Sequence, residues 1–382
     1  MAKTFKVVPI HEILPQEIFH MILKKLNYKS ICLARLTCKE WREFIDDFKI
    51  VDACMAKTYV IIAAGGLGKY VVPNDVKVIG DDYVLKELPR IPSTAVQSSL
   101  ILHNDSMLSF GVDDCFSLKN GTWKKHSIIN EARTHAGVVT IKSASFAFGG
   151  YGSEKTFEYL PKDSSEWIMG KSKIPGEGFY GGCVIATKSE QEILLIGGTD
   201  TGQRILKFNI NDHNFEELPS KLIVPRSEAR CAYIPGTNKV IITGGCHEIF
   251  GMELSKLSST EILDLDNGSI VTGSSMTCSR SIHGIGILTI NDMQRLAVFG
   301  GYNLDTIELY DIKTQKWELS EMKLKYGISH FGFVNVNLRD VKRWLSGVDS
   351  KNANEIELQH ETQKGQSPDD VVLRIAGLTI CA

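Results

Sequence analysis

The chain has 382 residues, 43% of them hydrophobic and 23% charged, with a formal charge of -2 and no block of like sign. That balance fits a globular protein with one large domain and a small one. It excludes a phosphate-tracking nucleic-acid surface and a membrane contact driven by bulk charge.

Nine cysteines are scattered at 32, 38, 54, 115, 183, 231, 246, 278 and 381 without a C-x-x-C pair, the pattern of reduced intracellular thiols. Charges break every apolar run of MAKTFKVVPIHEILPQEIF, so no secretory leader is expected. Cytosol or nucleus is the expected location, with no membrane span.

Leu14, Ile18, Met21, Ile22 and Leu26 recur at steps of three and four, the period of one helix face, and Pro15 suits a first helical turn. Ser30 is placed to cap a second helix carrying Ile31, Leu33, Ala34 and Leu36, and a third is expected through Trp41, Phe44, Ile45 and Phe48. Three helices this short cannot bury their apolar surface among themselves, so a partner surface is required.

The set Leu14-Pro15, Glu17-Ile18, Ile22, Leu26, Ile31, Leu33, Ala34, Cys38, Trp41 and Arg42 resembles the F-box, with Thr37 where that family usually has valine. The resemblance implies docking on the Skp-family linker of a cullin-based ubiquitin ligase. It makes Leu14, Pro15, Ile18, Ile22, Leu26, Leu33, Cys38 and Trp41 the candidate linker contacts.

Downstream, apolar runs end in glycine pairs at Gly66, Gly150, Gly198, Gly245 and Gly301, with a degenerate copy at Gly111 and Val112, and the second positions are spaced 38 to 56 residues apart. A period of this length with several short strands is the mark of a propeller. Bulky pairs follow: Phe116 with Trp123, Tyr159 with Trp167, Phe208 with Phe215, Leu263 with Ile270, and Tyr310 with Trp317. Asn120-Gly121 and Asn267-Gly268 between them are hairpin signals, which place each pair on the two outer strands of a blade. The glycines are expected to end an inner strand where a side chain would clash.

Residues 58 to 336 resemble kelch repeats. The expected fold is all-β: a six-bladed propeller behind a three-helix F-box, with ISHFGFVNV at 328–336 as the spare strand that completes the first blade. The domains expected are 8–50 (F-box), 58–336 (propeller) and 337–382 (tail), in which LRDVKRWL reads as an amphipathic helix and VVLRIAGLTI finds no place.

Some kelch propellers are copper oxidases, which need converging histidines and tyrosines. The ten histidines here show no ligand spacing, Asp81-Asp82 and Asp113-Asp114 lie in polar loops, and GGYGSEK lacks the lysine and serine of a phosphate loop. No catalysis, cofactor or metal is expected.

The loops after the glycine pairs, with Tyr151, Glu154, Lys155, Arg204, Tyr302 and Asn303, and those leading into the next blade, with Arg133, His135, Tyr180, Arg226, Glu228 and Arg280, are the expected binding face. Candidate substrate contacts are Tyr151, Arg204, Phe250, Tyr302, His135, Tyr180, Arg226 and Arg280, with the long loop 246–259 carrying Phe250 and Met252. The reading that follows is a ubiquitin-ligase substrate adaptor with a protein target and no nucleic-acid partner. The alternative is a kelch scaffold for cytoskeletal or signalling proteins. Only KIVDACMAK separates helices from propeller, which implies a stiff junction.

Overall fold

The computed structural model describes residues 16–23, 26, 28–37, 39–47, 49–57, 59–64, 66–67, 76–79, 88–92, 99–104, 106–110, 115–198, 202–247, 255–290, 293–324, 326–345, 372–375 and 378–381. Four helices come first: α1 (Gln16–Leu23), α2 (Tyr28–Thr37), α3 (Lys39–Asp47) and α4 (Ile50–Lys57). Two expectations are corrected here. Ser30 lies inside α2 rather than before it, and KIVDACMAK, expected as a linker, is the fourth helix, because Ile50 and Cys54, one turn apart, both bury.

A single residue, Thr58, separates α4 from β1 (Tyr59–Ala64). β1 pairs with β2 (Val76–Ile79), and then the blades follow as antiparallel meanders. The first is β3 (Ser99–His103), β4 (Ser106–Phe110), β5 (Cys115–Lys119) and β6 (Thr122–Lys125). The second is β7 (Gly137–Thr140), β8 (Ala144–Phe148), β9 (Phe157–Pro161) and β10 (Ile168–Met169). The third is β11 (Cys183–Ala186), β12 (Glu192–Ile196), β13 (Ile205–Asn209) and β14 (Phe215–Glu217). The fourth begins with β15 (Arg230–Tyr233) and β16 (Lys239–Thr243), extends a short ribbon of β17 (Cys246–His247) and β18 (Ser255–Lys256), and ends with β19 (Thr260–Asp264) and β20 (Ile270–Thr272). The fifth is β21 (Gly284–Ile290), β22 (Met293–Phe299), β23 (Thr306–Asp311) and β24 (Lys316–Lys323).

β25 (Gly332–Asn337) returns to pair with β1, Val60 opposite Val336 and Ile62 opposite Val334. The expectation of six blades is therefore corrected: five sheets have four strands, and β2-β1-β25 has three among the described residues. The innermost strands β3, β7, β11, β15, β21 and β25 touch in sequence, and β25 touches β3 again, so the wheel is shut and the inner edges find partners.

Strand faces alternate as burial requires. Phe146, Phe148, Phe157 and Phe208 fill the space between the second and third blades, while Val240, Ile242 and Leu263 meet Leu194 and Ile196 between the third and fourth. Of the bulky pairs, Phe208 opposes Phe215, Leu263 opposes Ile270 and Tyr310 opposes Trp317 across hairpins. In the other two hairpins the register differs: Trp123 faces Leu118 and Tyr159 faces Ile168, because those loops set a different offset.

After β25 the chain enters α5 (Leu338–Leu345), whose Leu338, Val341 and Trp344 bury. They join Leu23, Ile31, Ala34, Ile45, Ile50 and Met55 of the helices and Leu100, Met107 and Leu118 of the first blade in one apolar cluster. The helical unit thus sits on the propeller through a shared core, with the ion pair of Arg339 and Asp52 at 3.1 Å on its rim. VVLRIAGLTI forms a hairpin of β26 (Val372–Ile375) and β27 (Leu378–Cys381).

Candidate partner-binding faces

Each glycine pair ends the second strand of its blade rather than the innermost one. Its reason is a backbone crossing. A Cβ on Gly149 would lie 1.9 Å from the carbonyl oxygen of Phe179 in the next blade, and one on Gly197 would lie 2.6 Å from that of Arg226. The second glycine uses the same oxygen: Gly150 N–H donates to Phe179, Gly198 to Arg226, Gly245 to Arg280 and Gly301 to Ile328, at 2.7 to 3.0 Å. Left-handed φ values of +55° to +112° at these eight glycines turn the chain outward after the crossing.

The residue that offers this carbonyl is an arginine in two blades, Arg226 and Arg280, and Arg133 holds the corresponding place two residues before His135. Arg226 sends Nη2–H to Glu261 Oε1 at 2.7 Å and Nη1–H to the Gly244 carbonyl at 2.8 Å, and Arg280 repeats the pattern on Glu308 and Gly300. Arg133 does the same with Glu158 and Gly149. Each glutamate also accepts two backbone N–H groups of the loop before its arginine, for example those of Ile223 and Val224 on Glu261. Paired in this way, the buried charges are held rather than stranded, although Arg226 Nε finds no hydrogen-bond partner among the described residues. Arg226 and Arg280 are at most 1% exposed, so their assignment as substrate contacts is corrected: a guanidinium that must fix a glycine turn inside its own blade is not offered to a partner.

Two residues beyond the place of the carbonyl that takes the glycine bond, the chain takes a left-handed step before five of the six inner strands. His135, Gly181, Glu228, Ile282 and His330 hold φ between +52° and +66°. Gly181 N–H bonds to the carbonyl of His135, Glu228 N–H to Gly181, and Ile282 N–H to Glu228, a hydrogen-bonded belt at the axis. All five line a central cavity of about 220 Å³ together with Cys183, Arg230, Cys231 and Phe333. This belt escaped the sequence reading. Its signal lies two residues after Arg133, Arg226 and Arg280, where side chains of unlike chemistry occupy one position.

An aromatic line runs from the rim into this cavity. Tyr151 is 69% exposed and meets Tyr180 at 6.0 Å between ring centres, Tyr180 meets His135 at 5.4 Å, and His135 meets His330 at 5.6 Å. Neither ring nitrogen of His135 has a hydrogen-bond partner among the described residues. Burial, then His330 and Arg230 nearby, push its pKa down to about 4, so it is neutral at pH 7. Burial and the Glu228 carboxylate raise the Tyr180 phenol.

The structure therefore brings Tyr151, Tyr180 and His135 together. Tyr302 stands apart, half exposed under Lys256 Nζ at 4.3 Å. Arg204 is engaged with the carbonyls of Pro175 and Gly178, and Phe250 lies outside the described residues.

At the other end, Ile18 on α1 is 43% exposed, with Met21 at 58% and Leu36 on α2 at 65%. Leu26 and Trp41 lean on the shared core. Ile22 and Leu33 fall within α1 and α2, while Leu14, Pro15 and Cys38 lie outside the described residues. The helices thus bury one face on the propeller and show apolar side chains on another.

The F-box domain family matches residues 12–52. A kelch repeat-containing protein of Dictyostelium discoideum is 28% identical over 159 residues, which is 39% of this chain and 23% of that relative. Residues 12–52 thus match the F-box domain, and the chain is similar in part to a kelch repeat-containing protein. The helices of the F-box are the ones that show Ile18, Met21 and Leu36, and the kelch-type propeller carries the belt and its cavity. A chain so built presents two faces, one apolar and helical, one ringed by loops.

Proposed function

We propose that this chain is the substrate-recognition adaptor of an SCF-type ubiquitin ligase: its F-box docks on the Skp-family linker, and through it on the cullin scaffold, while the propeller holds a protein target in the cytoplasm or nucleus. The chain contributes binding and placement and leaves the transfer chemistry to its partners. What carries the reading is the exposure of Ile18, Met21 and Leu36 on helices whose other residues, Leu23, Ile31 and Ala34, are fully buried. Apolar side chains left uncovered on a packed helix mark a protein contact.

Burying each is worth about 1.5–3 kcal/mol, so losing three removes most of the roughly 8 kcal/mol of a micromolar complex. The test is capture of the purified Skp-family linker by the full chain and by a variant with Ile18→Asp, Met21→Asp and Leu36→Asp. Capture by the first and loss by the second is expected. Failure of the unaltered chain to bind, or unaltered binding by the variant, overturns the adaptor role and leaves the scaffold reading.

A further inference from the structure

The first residue of the inner strand is small in five of the six: Ser99, Gly137, Cys183, Gly284 and Gly332. In the fourth blade it is Arg230. Its side chain lines the axial cavity, and the guanidinium carbon lies 5.9 Å from the centre of the Phe333 ring in β25, two inner strands further round the wheel. Arg133, Arg226 and Arg280 each have a buried glutamate partner, but Arg230 has no carboxylate within 4.0 Å among the described residues, and its one hydrogen bond to a described residue is Nη1–H to the carbonyl of Ala229.

A guanidinium has five N–H donors in a fixed fork, and a low-dielectric site makes an unmatched charge expensive. The groups that face it do not neutralise it by contact. Glu228 feels its charge but turns a carboxylate oxygen to Cys246 Sγ at 3.4 Å, and His135, His283 and His330 are all held neutral by burial. The remaining donors of Arg230 line the cavity.

We propose that the axial cavity is the anchor point for a single acidic side chain of the target protein: its carboxylate takes the free fork of Arg230, an adjacent backbone N–H of the same peptide reaches Glu228, and the flanking residues lie along Tyr180 and Tyr151. This deepens the adaptor reading and rests on it for the word target. The geometry selects one carboxylate rather than an acidic run, since Glu228 stands beside the fork and repels a second. The unpartnered ring of His135 sits where the peptide enters and supplies either a donor or an acceptor according to its tautomer.

The experiment selects short random peptides displayed on phage against the purified full-length chain. The best binder is then synthesised beside its Glu→Gln or Asp→Asn isostere and measured by fluorescence anisotropy. One acidic residue is expected in the selected set, with the isostere at least about tenfold weaker on the unaltered protein, as for loss of a charge-assisted fork. Arg230→Met is expected to abolish the difference between acid and amide, while keeping its thermal midpoint and its capture of the linker, and Arg230→Lys is expected to keep part of it.

Equal binding of acid and amide, no acidic preference among the selected peptides, no peptide selected at all, or Arg230→Met that still discriminates would each overturn the proposal. Competition by free inorganic phosphate as effective as by the peptide would also overturn it, as the site of a small anion. The two readings separate cleanly. A chain that discriminates acidic peptides but never captures the linker keeps the site and loses the adaptor role.

Discussion

The N–H of Gly198 donates to the carbonyl of Arg226 at 3.0 Å, while the side chain of Arg226 reaches forward to Gly244 and Glu261 of its own blade. One residue thus ties two blades through different atoms, its backbone to the blade before and its guanidinium to the turn after.

Gly197→Ala is expected to lower the thermal midpoint severely, because its Cβ would sit 2.6 Å from the Arg226 carbonyl at a φ of +67°. Gly236→Ala is the control, with φ of +77° but nothing within 4 Å, so it carries only the left-handed penalty of about 1 kcal/mol. If the two unfold at the same temperature, the close approach is not what demands the glycine.

Breaking one buried pair costs about 3–5 kcal/mol because it strands a charge. Arg226→Phe alone and Glu261→Leu alone should therefore both be strongly destabilised. The double variant should recover much of the loss, since it copies the third blade, where Phe179 and Leu206 hold the same two places within one apolar cluster. A chemical-denaturation cycle with additive losses would contradict this account.

Acid should weaken the fold through its neutral histidines. His135 in the folded chain takes a proton only near pH 4, whereas the unfolded imidazole takes it near 6.5. Between those values the unfolded state binds more protons, so stability is flat above about pH 6.5 and falls as the pH drops toward 4. Fully buried His283 acts in the same direction. His135→Asn, a residue that accepts left-handed φ, should flatten the slope of melting temperature against pH over that window, and an unchanged slope would refute the assignment.

Trp344→Ala is expected to cost about 3–5 kcal/mol, as Trp344 is 2% exposed in the core that seats the helices. Asp52→Ala should cost no more than about 1 kcal/mol, because its bond to Arg339 lies at the surface. Placing a flexible glycine-serine insert between Lys57 and Tyr59 should leave linker capture intact while slowing ubiquitin transfer to a bound target. Transfer at an undiminished rate would mean that the stiff junction has no positional role.

Much of this was readable from residue order, and the failures have definite causes. Repeated glycine pairs disclosed the wheel, since a backbone crossing leaves no other residue type. The return of residues 332–337 to β1 followed from a strand without a glycine partner at one end and a missing strand at the other. Arg226 and Arg280 misled because a charged residue in a loop usually faces water. Their true partners, Glu261 and Glu308, lie some thirty residues away on strands whose burial only the assembled blade reveals.

The acceptor strand for each belt hydrogen bond is equally non-local. KIVDACMAK passed as a connector because Asp52 and Lys57 interrupt a short apolar set, although Ile50 and Cys54 already stand one helical turn apart. Arg230 went unremarked because nothing in its neighbourhood shows that β15 sets it against the axial cavity.

Pairing of β25 with β1 joins residues synthesised at opposite ends of the propeller, and the bed of the helices, Leu338, Val341 and Trp344, leaves the ribosome later still. The amino-terminal helices must wait for that bed through translation of nearly the whole wheel, with Leu23, Ile31 and Ile45 meanwhile unseated. A nascent chain halted before residue 332 would keep its grease on show, a form that chaperones hold and proteases clear, so only a finished polypeptide reaches the cell with its ends settled.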